Sequence, residues 1–227
     1  MTFTRFHDIA ERMNQMLHVT SVTTGLQVKF PAFIDSFSDN FNVSWGSEES
    51  FGRVDPVMPY RSTTRQISLG ISVLAPDEEK AVENLQQYSK FIQMLYPVYS
   101  APLDEGGSAG RTIVAPPILK VKLMNYIQSA DGTDGLFGCI RGLKFDPDFN
   151  IGHFIRPNGD LIPKKFTINF TFMPQHSTEL GFGDSEQRFL TPNFPYGETQ
   201  QVVETATPDS GDVNVRAAAN NALGGTE

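Results

Sequence analysis

Nine residues, Arg65-Gln-Ile-Ser-Leu-Gly-Ile-Ser-Val73, restrict the fold more than any other part of this chain. Their polarity alternates strictly, so a strand here carries Ile67, Leu69, Ile71 and Val73 on one face and Gln66, Ser68, Gly70 and Ser72 on the other. The first face requires a core. From Pro76 to Tyr96, Ala81, Leu85, Tyr88, Ile92 and Leu95 recur at steps of four and three, which predicts an amphipathic helix laid on that sheet. Pro76 opens it, Asp77, Glu78 and Glu79 sit where the helix dipole is positive, Lys90 lies toward the other end, and Pro97 stops it. The second face of the strand is small and uncharged. A face meant for bulk water usually carries Lys, Glu or Thr, so this one suits a channel wall or a surface that another chain completes.

Lys165 to Met173 repeats the pattern, with Phe166, Ile168, Phe170 and Phe172 inward and Thr167, Asn169 and Thr171 outward. Shorter strands are expected at Leu26 to Phe30, Phe37 to Trp45, Leu119 to Ile127 and Leu136 to Phe145, the last two joined by a turn at Asp131-Gly-Thr-Asp-Gly135. Phe37, Phe41, Val43 and Trp45 share even spacing, and Trp45 and Phe51 read as core residues beside a polar loop from Gly46 to Tyr60. At the start of the chain, Phe6, Ile9, Met13, Met16 and Leu17 fall on one side of a short helix. Such a helix is too isolated to fold alone, so Phe6, Ile9, Met13 and Leu17 are expected to form a docking arm. From Asp184 onward Thr, Pro, Gly, Asn and acids dominate without a period. The expected organisation is an N-terminal arm over 1–25, a β domain over 26–183 and an acidic, extended arm over 184–227.

A chain of 227 residues can bury a sizeable core, roughly 70 per cent of its unfolded surface. The net charge is -8, and residues 184–227, with seven acids against two bases, hold -5 of it. The body is close to neutral, without the basic stripe of a protein that grips phosphates. The single Cys139 cannot form an internal disulfide, and the expectation is a buried, inert thiol. Arg5, Asp8, Glu11 and Arg12 interrupt the first 25 residues, and no apolar run approaches 18, which predicts a chain made and used in a soluble compartment.

Motifs that carry chemistry are incomplete. Asp146-Pro-Asp148-Phe-Asn150 begins like a calcium loop, but Ile151 and Pro157 stand where Gly and Glu are needed. Glu105-Gly-Gly-Ser-Ala-Gly110 lacks the Lys and helix of a phosphate cradle. The four histidines are scattered, and no Gly-x-Ser-x-Gly elbow exists. Glu48, Glu49, Arg53 and Asp55 crowd one loop; paired carboxylates there could do acid and base work, and the blander reading is an ion-paired turn or a contact between subunits. No catalytic constellation, metal site or cofactor is expected.

Taken in order, several segments resemble the tail-tube-like baseplate proteins of contractile-tailed bacteriophages, the tail tube initiator or tail-tube cap group. They are Val43-Ser-Trp-Gly-Ser-Glu-Glu-Ser-Phe-Gly-Arg-Val-Asp-Pro56, Tyr60-Arg-Ser-Thr-Thr-Arg-Gln-Ile67, the helix end Gln93-Met-Leu-Tyr-Pro97 and Pro117-Ile-Leu-Lys-Val-Lys-Leu-Met-Asn125. Gly138 to Pro147 and Lys165 to Met173, running on to His176 and Leu180-Gly181, complete the match over about 28–183. The resemblance implies a mainly β (α+β) fold, a rolled antiparallel sheet or sandwich of the phage tail-tube type flanked by one long helix. It further implies a hexameric ring whose strands join into an inner barrel around a lumen for DNA. Such a ring links the central hub to the tail tube and templates tube polymerisation, so the implied partners are further copies of the chain, the tail tube protein, the hub and other baseplate proteins. Genomic DNA passes without specific binding, and no membrane insertion is involved. The implied location is the virion tail baseplate, assembled in host cytoplasm.

On this reading Gln66, Ser68, Ser72, Thr167, Asn169 and Thr171 line the lumen or an inter-sheet face. Glu48, Glu49, Arg53 and Asp55 form an inter-subunit loop, and both arms contact neighbouring rings or the hub. Removing 184–227 is expected to weaken stacking of rings and to leave the body folded. A reading from another class is a carbohydrate-binding β-sandwich on a receptor-binding appendage, with Trp45, Tyr60 or Tyr99 stacking on sugars.

Overall fold

The computed structural model describes residues 13, 15–49, 51–101, 110–183, 190–191 and 194–197. The chain forms β1 (Met16–Ser21), β2 (Gln27–Pro31), β3 (Phe33–Trp45) and β4 (Tyr60–Leu74), then the helix α1 (Glu78–Gln93). After it come β5 (Val98–Tyr99), β6 (Ile113–Ala115), β7 (Leu119–Leu123), β8 (Leu136–Pro147), β9 (His153–Ile155), β10 (Leu161–Pro163) and β11 (Lys165–Gln175). Seven strands make one antiparallel sheet in the order β2-β1-β7-β8-β11-β4-β3, and β9-β10 and β5-β6 are separate two-stranded ribbons. The fold is mainly β, with a large antiparallel sheet and a flanking helix.

The alternating strand behaves as its pattern requires. Ile67, Leu69, Ile71 and Val73 are buried, and β11 sets Phe172, Phe170, Ile168 and Phe166 directly opposite them. Apolar rows paired across strands exclude water from one face. That face is closed by α1 and by the curl of the sheet itself. The ring of Phe91 on α1 lies 6.2 Å from Phe30 of β2 and 5.8 Å from Phe170 of β11. These strands are four places apart in the sheet, about 19 Å if it were flat. One ring reaches both because the sheet rolls. A second closure brings Phe37 of β3 to Tyr126, just past β7, with ring centroids 5.0 Å apart.

The helix is shorter and differently phased than its stripe predicts. Asp77 is the N-cap, its carboxylate accepting from the Lys80 backbone N–H at 2.9 Å, so Pro76 lies outside the helix. The buried residues on α1 are Ala81, Asn84, Tyr88 and Phe91, whereas Leu85, Ile92 and Leu95 are half-buried at its flanks. Tyr88 stacks on Phe145 at 4.7 Å, and Asn84 donates to the Leu74 carbonyl at 3.3 Å, which satisfies an amide the apolar stripe cannot accommodate.

Other expectations are corrected. Leu17 does not belong to a docking arm: Met16–Ser21 is a strand between β2 and β7, and Leu17 is fully buried in the core. Met13 is exposed, and Phe6 and Ile9 lie outside the described residues. Trp45 and Phe51 are not core residues, since both are exposed beyond the rolled part of the sheet. Cys139 is exposed on β8, not buried. No helix among the described residues is long and apolar enough to cross a membrane.

Because Phe91 joins both walls of the rolled sheet, Phe91→Ala is expected to lower stability by about 3–5 kcal/mol, and Leu85→Ala by distinctly less. Urea unfolding of the two variants checks this ranking, which the sequence stripe alone would reverse.

Candidate assembly face

The polar sides of β4 and β11 form one continuous surface opposite the core. Thr167 pairs with Ser72, Asn169 with Gly70 and Thr171 with Ser68, so the six residues expected on a lumen or inter-sheet face, with Gln66, lie together. β3 enlarges it. Ser36 pairs with Gly70, Ser38 with Ser68, Asn40 with Gln66, Asn42 with Thr64 and Ser44 with Ser62. This contribution was missed from sequence, although the serines and asparagines at even positions of Ser36 to Ser44 carry the same period as β4.

The surface is also closely fitted. A Cβ placed on Gly70 would stand 2.5 Å from Ser36 Oγ and 2.6 Å from Asn169 Oδ1, so the side chains of the two flanking strands lie over the glycine. Ser72 is buried and donates to Asp35 at 2.5 Å, which places it under a bulge of β3 instead of on the open surface. Charge stands at one end of this side, in Asp35 of β3 and Lys165 of β11, and along β8, where Arg141, Lys144 and Asp146 continue the face and Lys144 pairs with Asp146 at 2.5 Å.

This four-stranded blade, β8-β11-β4-β3, has two long edges that no described strand completes. β3 pairs only with β4, and β8 pairs with β7 only at Leu136, Phe137 and Gly138, leaving Cys139 to Pro147 paired on the β11 side alone. Open edges of this length expose unpaired backbone donors and acceptors and favour pairing with another chain. Beyond β11, β3 and β4 continue as a two-stranded ribbon from Gln66 and Asn40 to Tyr60 and Trp45. Isolated ribbons are marginal in water, and this one shows Val43, Trp45 and Tyr60 to solvent and ends in a loop where Phe51 and Val54 are fully exposed.

Glu48, Glu49, Arg53 and Asp55 all sit in that loop and are exposed, and they make no ion pair with one another among the described residues. The ion-paired turn expected there is replaced by backbone pairing: Glu48 and Val57 exchange N–H···O bonds, both 2.9 Å. Glu49 and Arg53 share a groove with Phe51, Val54 and Pro56.

Where the ribbon leaves the body, an ion pair faces inward. Arg65 donates to Asp39 from Nη2 at 2.6 Å and from Nε at 3.0 Å, with both side chains almost fully buried. Rings of Phe41 and Phe194 lie 5.2 Å from the guanidinium carbon. Tyr196 donates its hydroxyl to Asp39 at 2.8 Å, His176 meets Phe194 at 5.1 Å, and Gln128 donates to the Gly197 carbonyl at 2.7 Å. Residues 194–197 therefore strap the body at the ribbon's root. A cut at 184 removes these contacts, whereas a cut after 197 keeps them; apart from Leu190 and Thr191, the remainder of the acidic arm lies outside the described residues.

His176 is held below its ordinary pKa of 6.5, first by burial and then by the positive charge of Arg65, with Asp39 opposing. Burial, together with Lys29 and Lys122, lowers His18 likewise. A folded-state pKa below the unfolded one means that the unfolded chain binds the proton more readily. The stabilising difference is complete above 6.5 and is lost as pH falls through that value toward the folded one. Stability is accordingly expected to decline on acidification from about pH 7.5 to about pH 5.5, less steeply in His176→Gln. Asp39→Ala, which strands a buried guanidinium, should cost about 3–5 kcal/mol, against about 1 kcal/mol for Tyr196→Phe. Chemical denaturation across pH measures all three.

The sequence matches no family model and no curated protein. Among solved structures the chain is similar to one in the six-fold symmetrised cryo-EM structure of the anti-feeding prophage baseplate. The superposition covers 69% of this chain and 87% of that one, at a TM-score of 0.27 and 8% sequence identity.

Proposed function

We propose that this chain is a structural subunit of a contractile-tail baseplate that closes with copies of itself into a ring. The observation that carries the reading is the blade β8-β11-β4-β3, open at both edges, whose side away from the core is small and neutral over Thr167–Thr171, Gln66–Gly70 and the outward residues of Ser36–Ser44, with Asp35 and Lys165 at one end. Joining the β3 edge of one copy to the β8 edge of the next completes the backbone hydrogen bonds of both and turns every polar face toward one axis. Six copies would give a barrel of about 24 strands, with a backbone diameter of about 48 Å at a strand tilt of about 40°. That leaves a wide lumen. Small neutral side chains suit a conduit for DNA, because fixed cations would hold the phosphates. The sequence resemblance supplies the rest of the reading: a hexamer between hub and tube that templates tube polymerisation and is assembled into the virion tail, with no catalytic role.

The exposed ribbon tip fits this role as a contact with a neighbouring subunit through Phe51, Val54 and the loop of Glu48, Glu49, Arg53 and Asp55. A second reading draws on the same exposure. Trp45, Tyr60 and Tyr99, the rings named for sugar stacking, are all open to solvent. Trp45 and Tyr60 already pack edge to face at 5.5 Å, which leaves less ring surface for a sugar.

Negative-stain microscopy of the purified protein, alone and with tube subunits, is expected to show rings with a central pore or seeded tubes. A monomer under every condition rejects the proposal, and a glycan-array signal lost in Trp45→Ala would favour the second reading. Ser68→Lys combined with Asn169→Lys should leave ring formation intact and slow DNA release from assembled particles.

A further inference from the structure

The other half of the sheet presents a surface of opposite character. β1, β2 and β7 contain no Asp or Glu, although the chain as a whole carries -8. On their outward side, His18 pairs across with Lys29 on one neighbour and Lys122 on the other, which makes a straight row of Lys29, His18 and Lys122. Thr20 pairs in the same way with Gln27 and Lys120 to form a second row. His18, held below its ordinary pKa by burial and by these lysines, separates the two cationic side chains, which stand two strands apart on the same side of the sheet. Lys120 is neutralised by Asp134 at 2.5 Å, but Lys122 donates only to the Thr133 carbonyl at 2.6 Å, and neither Lys29 nor Lys122 has an ion-pair partner among the described residues. Glu83 of α1, which lines a groove with Lys29, is held by Lys80 at 2.7 Å. His18, Thr20, Gln27, Lys120 and Lys122 line one shallow groove with Asp134, and Lys29 lies in the adjoining groove with Lys80 and Glu83.

Gly197, the last described residue, is held just past the end of β7. Gly197 is gripped by Gln128, which follows Ile127, and the Ile127 N–H binds the Leu123 carbonyl at 3.1 Å, one residue from Lys122. Beyond Gly197 the sequence holds Glu198, Glu204, Asp209, Asp212 and Glu227 against Arg216 alone, a net -4. β7 to β2 spans about 10 Å, and the six residues from Glu198 to Glu204 reach about 20 Å when extended. We propose that the row of Lys29, His18 and Lys122 across β2, β1 and β7 is a docking surface for the chain's own acidic segment, residues 198–227. This segment would neutralise the row and run across the outside of β7, β1 and β2. The inference is independent of ring formation, since it concerns contacts within one chain.

Zero-length carbodiimide crosslinking of the full chain, mixed from light and heavy isotope preparations, tests it. The expected products join Lys29 or Lys122 to Glu198, Glu204, Asp209 or Asp212 within single copies, and fall about tenfold in about 1 M salt. They disappear in Lys29→Glu/Lys122→Glu. Should that pair impair folding, Glu198→Lys/Glu204→Lys alters only the arm and must abolish the same links. Products that are mostly mixed-isotope assign the row to another copy's arm, and equal labelling of Lys90 and Lys144 leaves no specific surface; either result overturns the proposal. Wild-type protein should also hold random-sequence duplex DNA about tenfold more weakly than the Glu198→Lys/Glu204→Lys variant at low salt. Equal DNA binding by the two would show the row open to polyanions and likewise overturn it.

Discussion

The two faces of β4 are satisfied in different ways, and the molecule is organised around that difference. Its apolar side cannot tolerate water, so the sheet rolls until the ring of Phe91 meets both Phe30 and Phe170 and the interior closes. Its polar side carries Gln66, Ser68 and Gly70, whose neighbours are the short side chains of β3 and β11. Burial of one side fixes the register, because a slip of one residue would exchange the two sets. The polar surface is thus held in place by the core behind it, and its uniformity across three strands follows from three registers locked at once.

What could be read from the sequence follows from which physical period each segment carries. β4, β11 and the existence of α1 were legible because their patterns are long and unmixed. The phase of the helix was not, since Leu85, Ile92 and Leu95 make a tidy stripe while the residue that joins the two walls, Phe91, lies to one side of it. β1 was misread because Met13, Met16 and Leu17 also satisfy helical steps; only its neighbours in the sheet distinguish the two. Trp45 illustrates another limit: alternation says which way a side chain points but not whether anything covers it there. The strap at 194–197 has no period at all, and its contacts with Arg65 and Asp39 come from residues more than a hundred positions away.

The root of the β3–β4 ribbon is stiff while its tip is bare. At the root, Arg65 is fixed by Asp39, enclosed by Phe41 and Phe194, and still leaves Nη1 buried without an acceptor. That orphaned donor is a cost the surrounding contacts must offset. At the tip, apolar side chains meet water above a few backbone hydrogen bonds, Gly46 to Pro59 and Glu48 with Val57. A lever with a clamped base and a sticky end suits capture of a neighbour better than it suits a solitary subunit.

Gly70 carries a last implication. Ser36 and Asn169 lean across it from the two flanking strands, so the gap that a glycine would leave in the blade is filled by a hydroxyl and an amide. One added methyl at Gly70 would have to push both side chains outward, so a substitution at the least bulky residue of β4 would roughen this face while leaving the core behind it untouched.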